Sequence, residues 1–319
     1  MGKILLELII LVIGFALLIK GADVFVDGAA GVAELFGIPE LIIGLTVVAM
    51  GTSAPEAAVS ITSALKGSAD IAIGNVLGSN LLNVLLVLGV TALVKPIAVG
   101  ESTRKIEIPF LIFISAIFLI FSNKQYVTRL EGLALWALFI LYISYTIRVA
   151  LKAQNEGGQG QAEDEENGGK KKQPAWKLLL FIVLGIAMIV GGSNLSVDAA
   201  SEIALLLGVS KRLIALTVVA FGTSLPELVT SVMAARKGNA DIAIGNIVGS
   251  NIFNYLFIIG TTALIIPVPF DPKFRLDAFL VILVEALLLA LVSKTKKLTR
   301  PGAALMLACY AGYLVYLII

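Results

Sequence analysis

The sequence predicts an all-α integral membrane protein of about ten transmembrane helices, built as two five-helix repeats of inverted orientation. Three observations carry this. Of 319 residues, 58% are hydrophobic and only 14% charged, with a mean hydropathy of +0.98, whereas soluble domains are about a quarter charged and about half apolar. Apolar runs of roughly 18 residues or more recur along almost the whole chain, each long enough to cross a hydrocarbon core of about 30 Å as a helix. Finally, whole phrases return: KGSADIAIGNVLGSNLLN as KGNADIAIGNIVGSNIFN, and GTSAPE from Gly51 as GTSLPE from Gly222. Lipid offers no hydrogen bonds to free backbone, so helices are the expected spanning element.

From one polar break to the next, the spans fall near 3–35, 40–66, 70–95, 106–122 and 127–150, then 176–207, 212–236, 240–266, 275–293 and 300–318. The first, ILLELIILVIGFALLI, carries Glu7, has only Lys3 before it and lacks a small-residue cleavage pattern, so it reads as a retained helix rather than a signal peptide. Between the fifth and sixth lies AQNEGGQGQAEDEENGGKKKQPA, rich in glycine, glutamine and charge. It cannot bury a core and reads as a flexible linker over 151–175. Glu163 to Glu166 lack the alternating oxygen pattern and turn glycine of a calcium loop.

The linker divides repeats at 1–150 and 176–319. One offset, 171 positions, carries Gly51 onto Gly222, Thr46 onto Thr217, Glu56 onto Glu227, Asp70 onto Asp241 and Asn83 onto Asn254. Five spans per unit make the second copy enter the membrane from the opposite side. Inverted repeats of this kind place a transporter's substrate near the bilayer midplane, on interrupted helices. Basic residues concentrate on the linker side (Arg104, Lys105, Arg148, Lys152, Arg236, Lys237, Lys294, Lys296, Lys297) over the other (Lys3, Lys66, Lys124, Arg129, Lys211, Arg212). That bias puts the linker in the cytoplasm and both termini outside.

Composition also excludes. A net charge of +2 with basic residues between apolar runs gives no case for nucleic acid. The lone Cys309 rules out an intrachain disulfide and a cysteine metal cluster. Histidine is absent, which removes the commonest ligand for zinc or copper. No nucleophile with a base, phosphate loop or metal triad is present, so neither an enzyme nor a bound cofactor is expected. Any ion chemistry must use oxygen. Oligomeric state has no signal in the chain.

Pro55 lacks an amide hydrogen and clashes with the carbonyl four residues earlier, so its helix must kink or open near Gly51. The freed carbonyls need a partner inside the bundle. Thr52 and Ser53 add hydroxyls, Glu56 a carboxylate; Thr223, Ser224, Pro226 and Glu227 repeat the arrangement. Two opposed bare carboxylates would repel and lose several kcal/mol each to desolvation, and a divalent cation resolves both problems. Ser79 with Asn83, and Ser250 with Asn254, lie at i and i+4 on one helix face. Gly74 with Gly78, and Gly245 with Gly249, form GxxxG pairs that permit close helix approach. The donor set holds no nitrogen or sulfur, which suits hard cations such as calcium and sodium.

Taken singly, these residues have plainer uses. Serine and threonine bond their own helix, asparagine glues helices together, and proline kinks. A carboxylate at membrane depth is functional by default, and here two stand at matching positions. Other charges carry less. Asp23 and Asp27 after Lys20, and Asn194 and Asp198 at the matching place, read as solvated span ends rather than an access route. Asp70 and Asp241 read as helix starts, favoured by the N-terminal dipole. Glu285 has no carboxylate counterpart in the fourth span and is left with at most a local hydrogen bond.

These motifs resemble the cation/calcium antiporter superfamily and, within it, the sodium/calcium exchangers of prokaryotic type. GTSAPE with GNVLGSNLLN is similar to the first alpha repeat, and GTSLPE with GNIVGSNIFN to the second. The resemblance implies a ten-helix fold with a diamond of ion sites at its centre. It implies calcium on Glu56 and Glu227 with the carbonyls of Thr52 and Thr223. It further implies sodium on the carbonyls of Ala49 and Ala220, the hydroxyls of Ser53 and Ser224, and Ser79 and Ser250, with Asn83 and Asn254 at the centre. Spans one and six are implied to slide as a pair. Asparagine at 254, where potassium-dependent relatives resemble one another in having aspartate, argues against potassium cotransport. The linker has no room for the folded calcium-sensing domains of animal exchangers.

The expectation is therefore alternating-access, electrogenic exchange of sodium for calcium in a lipid bilayer, of the cell membrane. The alternatives are proton/calcium exchange, since protonating both glutamates would also neutralise the site, and a cation channel, which would need neither inverted repeats nor coupling.

Overall fold

The computed structural model describes residues 2–67, 69–121, 123–157, 173–208 and 220–318. Most of the linker, including Glu163 to Glu166, lies outside the described residues, as do Lys211, Arg212 and Thr217 at the start of the seventh predicted span. Among the described residues, six helices are long and apolar enough to cross a membrane, or seven if the pair Glu40–Thr52 and Ala54–Leu65, bent by 49°, is one span.

The two longest, α1 (Gly2–Phe36) and, later in the chain, α9 (Ala175–Leu206), run antiparallel along each other. Glycine sets their separation. Gly14, Gly21 and Gly28 recur every seventh residue on one stripe of α1, and Gly185 and Gly192 do so on α9. A Cβ on Gly192 would sit 2.7 Å from the Gly14 carbonyl, and one on Gly185 2.6 Å from Phe25. Their outer faces are apolar and exposed (Leu5, Ile9, Val12, Leu179, Val183), as lipid contact requires.

Between α1 and α9 the chain folds into α2 (Glu40–Ile43), α3 (Ala49–Thr52), α4 (Ala54–Leu65), α5 (Asp70–Leu82), α6 (Gly89–Val94), α7 (Ile108–Phe121) and α8 (Arg129–Gly157). After α9 come α10 (Ala220–Thr223), α11 (Leu225–Lys237), α12 (Ala240–Phe253), α13 (Gly260–Ile265), α14 (Phe274–Thr295) and α15 (Arg300–Ile318). Among the described residues, helix falls within each predicted span. Both α5 and α12 lie at the centre, and each widens into a π-helical segment, Asn83–Leu88 and Asn254–Ile259, before α6 and α13. Asp70 and Asp241 stand at or within the first turn of α5 and α12, as expected of helix starts. Helices α4 and α11 end on Gly67 and Gly238 in the left-handed region, φ 82° and 98°, where a side chain would be strained.

The fold is not wholly helical. Ile97–Ala98 (β1) pairs with Lys297–Leu298 (β4), and Tyr126–Val127 (β2) with Val268–Pro269 (β3), both antiparallel. The chain leaves α6 and α13 through extended Lys95 and Ile266, and pairing satisfies backbone groups that no helix holds there. Each ladder joins one half of the chain to the other, and the same 171-residue offset carries β1 to β3 and β2 to β4.

Candidate functional site: a buried carboxylate pair

The two GTSxPE stretches meet at the centre. Helix α3 stops at Thr52, Ser53 breaks the spiral with φ −81°, ψ 9°, and α4 restarts with Pro55 in its first turn. Ser224 breaks the second copy the same way, φ −92°, ψ 6°. The opening thus falls two residues beyond Gly51. Proline cannot return a hydrogen bond to the Gly51 carbonyl, so the opening follows from its chemistry. Glu56 and Glu227 occupy the first turns of α4 and α11, where the helix dipoles favour negative charge.

Serine at a helix start ordinarily caps its own helix. Ser53 and Ser224 do not: Ser53 donates to Glu227 Oε1 (2.8 Å) and Ser224 to Glu56 Oε1 (3.4 Å), each reaching the other repeat's carboxylate. The hydroxyl of Thr223 also lies against Glu56, and those of Thr52 and Ser250 against Glu227. Ser250 Oγ donates towards the Ala49 carbonyl (3.4 Å), which the Ser53 amide also reaches at 3.0 Å. Both carboxylates are buried, with Thr52, Ser53, Ser79, Asn83, Ser224, Ser250 and Asn254. Ala49 is buried as well; Ala220 opens α10, and its side chain lies outside the described residues.

Four oxygens in this group have no hydrogen-bond partner: Glu56 Oε2, Glu227 Oε2, Asn83 Oδ1 and Asn254 Oδ1. They are two atoms and their counterparts 171 residues on. A buried acceptor left unpaired costs about 1–3 kcal/mol, more when charged, so the centre holds oxygen acceptors that no protein donor satisfies. Among the described residues no cluster of three or more acidic, histidine or cysteine side chains occurs, so the rest of a shell must come from neutral oxygen.

The neutral framework includes residues that the sequence reading passed over. Asn75 donates to the Glu56 carbonyl (3.2 Å) and Ser60 Oγ (2.9 Å), and Asn246 does the same to the Glu227 carbonyl (3.4 Å) and Ser231 Oγ (2.9 Å). Thr52 Oγ1 donates to Asn246 Oδ1 at 3.0 Å. Asn80 and Asn251 exchange bonds, each amide reaching the other's carbonyl at 3.4 and 3.2 Å. The Asn83 amide donates to Asn251 Oδ1 (3.1 Å) and that of Asn254 to Asn80 Oδ1 (2.9 Å). These bonds turn Asn83 Oδ1 and Asn254 Oδ1 away from any protein donor. The signal was present: Asn75, Asn80 and Asn83 all recur in the duplicated phrase.

The two GxxxG pairs do different things. On α12, a Cβ at Gly249 would lie 2.6 Å from the Leu45 carbonyl and one at Gly245 2.9 Å from that of Leu41, so the second pair is tightly covered by the Glu40–Thr52 arm. On α5, nothing lies within 4 Å of a Cβ at Gly78. The first pair is therefore only half covered: a Cβ at Gly74 would stand 3.1 Å from the Phe274 ring of α14, while Gly78 makes no close helix approach, contrary to expectation. It borders a cavity of about 590 Å³ lined by Gly74, Asn75, Gly78 and Ser79 together with Phe15, Ser196, Phe221 and Tyr313. That cavity lies towards the end of the bundle holding the start of α1 and the end of α9, and it reaches the site at Ser79.

A second cavity, about 930 Å³, sits at the linker end among Asp27, Glu34, Glu40 and Asn239 and touches none of the site residues. Beside it Lys237 Nζ joins α11 to α1, at 2.6 Å from Asp27 Oδ1 and 2.7 Å from Asp23 Oδ1. Asp23 is part-exposed and Asp27 exposed, as span ends should be, but both are also tied to Lys237; Asn194 and Asp198 are exposed. Glu285 is fully buried; its carboxylate lies against Ser115, with neither oxygen closed into a well-formed hydrogen bond.

Comparison with known proteins agrees with this geometry. Residues 6–148 and 177–319 match the family model described as sodium/calcium exchanger protein. The chain is 34% identical to the inner membrane protein YrbG of Escherichia coli, over 98% of this chain and 96% of that one. It is 32% identical to the sodium/calcium exchanger MaX1 of Methanosarcina acetivorans, over 98% and 99%. The fold superposes on a solved structure of the sodium-calcium exchanger NCX_Mj with a TM-score of 0.83 at 31% identity, covering 98% of this chain and 99% of that one. The match spans both halves and every motif of the central site: the chain belongs to the sodium/calcium exchanger protein family.

Proposed function

We propose that this membrane protein is a secondary antiporter that exchanges sodium for calcium across the bilayer by alternating access, moving net charge in each cycle. The observation that carries the reading is the set of four unpartnered buried oxygens, two carboxylate and two amide, enclosed by hydroxyls from both repeats. Two glutamates total −2, so one calcium ion neutralises them, and sodium ions spread over Glu56, Glu227 and the flanking oxygens of Ala49, Thr52, Ser53, Ser79, Ala220, Thr223, Ser224 and Ser250 do likewise. With neither bound, two charges in a dry centre oppose closure, which makes empty switching rare and couples the ions. If three sodium ions replace one calcium, one charge crosses per cycle.

The ten spans form two inverted five-helix repeats, 1–150 and 176–319, with the linker cytoplasmic and the termini outside. The reciprocal asparagine bonds and the two β ladders, each repeated at one offset, support that reading. Alternation then consists of exchanging which GxxxG face is covered, with α1 and α9 moving along their glycine seam. The cavity at Gly78 corresponds to access from the outside.

The test is calcium flux in proteoliposomes under imposed sodium and pH gradients. Sodium-driven, voltage-sensitive uptake is expected. Calcium flux that ignores sodium and follows the proton gradient would replace this reading with proton/calcium exchange, and current without counter-ion would replace it with a channel.

A further inference from the structure

Glu285 sits at the midpoint of α14, fully buried, and the central site makes no use of it. Its carboxylate lies against Ser115 of α7, and the phenol of Tyr255, one residue beyond Asn254, faces Glu285, Ser115 and Asn80. Both Glu285 oxygens, Ser115 Oγ and Tyr255 Oη lack a hydrogen-bond partner, and all three side chains are at most 1% exposed. One carboxylate with both oxygens unpaired, flanked by two hydroxyls, is a second buried oxygen cluster beside the central one.

The duplication supplies an internal control. At the positions 171 residues away stand Ile114 for Glu285, Val84 for Tyr255 and Ala286 for Ser115. The three polar groups, Glu285 and Tyr255 from the second repeat and Ser115 from the first, meet at one of the two symmetry-related places, and their counterparts at the other are all apolar. Packing needs at this place are therefore met without oxygen, and a carboxylate in a lipid-embedded core is costly enough to call for a neutralising partner, a cation or a proton.

We infer that Glu285, Tyr255 and Ser115 form a second cation site, off the transport route, that holds one monovalent alkali cation. The single carboxylate matches one positive charge; calcium would leave an excess charge buried among neutral hydroxyls. Carboxylate and hydroxyl oxygen suit a hard cation of this type. Neutral Asn80 connects the site to the centre, since it faces Tyr255 and accepts from the Asn254 amide. Occupancy there would steady one of the two amides that carry the unpartnered oxygens of the central site.

The inference does not depend on which ions are transported, and its test needs no transport. The full-length protein in detergent is melted with sodium, potassium or N-methylglucamine chloride at constant ionic strength, in a Glu56→Gln/Glu227→Gln background that removes the central charge. A saturable rise in Tm with sodium or potassium, absent with N-methylglucamine, is expected, and adding Glu285→Gln should abolish it. Tyr255→Phe or Ser115→Ala should keep the rise but move its half-saturating concentration up about tenfold, as loss of one charge-assisted contact does. No alkali-dependent rise in the double variant, or one that survives Glu285→Gln, overturns the inference; so does a Tm that follows pH and not the alkali ion, which would make Glu285 a simple buried acid. If Glu285→Gln does not fold, the Tyr255 and Ser115 variants decide alone, since unchanged half-saturation in both refutes the site.

Discussion

Replacing Gly249 and Gly78 by alanine, one at a time, should separate the two faces on which alternation depends. At Gly249 the added methyl would stand 2.6 Å from the Leu45 carbonyl, 2.7 Å from its Cα and 2.8 Å from the Ala49 Cβ. Ordinary contact begins near 3.4 Å, so the Leu45–Ala49 backbone must retreat by about 0.8 Å. Overpacking on that scale costs about 1–3 kcal/mol, and it is paid only while this face is covered, so it shifts the two-state equilibrium by roughly five- to 150-fold. At Gly78 the methyl meets nothing within 4 Å and leaves this conformation untouched, but it obstructs any state in which that face is covered. The assay is thiol labelling of Leu82→Cys, a buried residue lining the open cavity, after exposed Cys309 has been replaced by serine. Gly249→Ala should slow labelling from the terminus side by about an order of magnitude. Gly78→Ala should label at least as fast as the parent while calcium flux falls. Parental labelling and flux in Gly249→Ala would refute the view that the covered glycine face seals the linker side.

Other outcomes follow from the same geometry. Glu56→Gln or Glu227→Gln should lower calcium affinity by at least about a hundredfold, as expected for removing half the charge of a buried site, with helical content unchanged by circular dichroism. Chelating calcium should lower Tm, because saturation at a hundred times Kd stabilises the native state by about 2.7 kcal/mol; a Tm indifferent to calcium would argue against a binding site at the pair. Ser53→Ala removes the 2.8 Å donation to Glu227 and should impair sodium-driven flux more than equilibrium calcium binding. Lys237→Met unties Asp27 and leaves Asp23 paired only with Lys20, and because those pairs are part-exposed the loss should be about 1 kcal/mol or less, read as a severalfold rise in labelling from the linker side.

Much of this was legible in the chain, for identifiable reasons. A duplication repeats every constraint, so Glu56 and Glu227, or Pro55 and Pro226, each confirm the other where one alone would be ambiguous. Helix spans are legible because lipid enforces them residue by residue. The swapped bonds from Ser53 to Glu227 and Ser224 to Glu56 were not, because a serine before a proline-started helix is locally indistinguishable from an ordinary cap. The asparagine lattice was hidden for a related reason: Asn80 looks like generic interhelical glue until its partner is seen to be its own duplicate, Asn251. The short β ladders carry no periodicity at two residues each, so only the three-dimensional pairing reveals them.

The least legible features are those where the halves differ, and these bear most directly on function. Identical GxxxG phrases predict identical packing, yet Gly249 is pressed against Leu45 while Gly78 faces open space. Sequence symmetry cannot distinguish the two, because a chain whose halves pack alike would present the central carboxylates to both sides or to neither. On the proposed alternating-access mechanism, directional access needs the symmetry to be broken in each conformation and restored over a cycle, and the asymmetry then belongs to the conformational state and is invisible in the residues. Glu285 is the opposite case. Its departure from Ile114 is written into the sequence and persists in every state, so it cannot be what alternates. A fixed asymmetry adjoining Tyr255 and Asn80 can instead bias one half's amide, Asn254, relative to its counterpart Asn83, and so set which of the two faces rests covered.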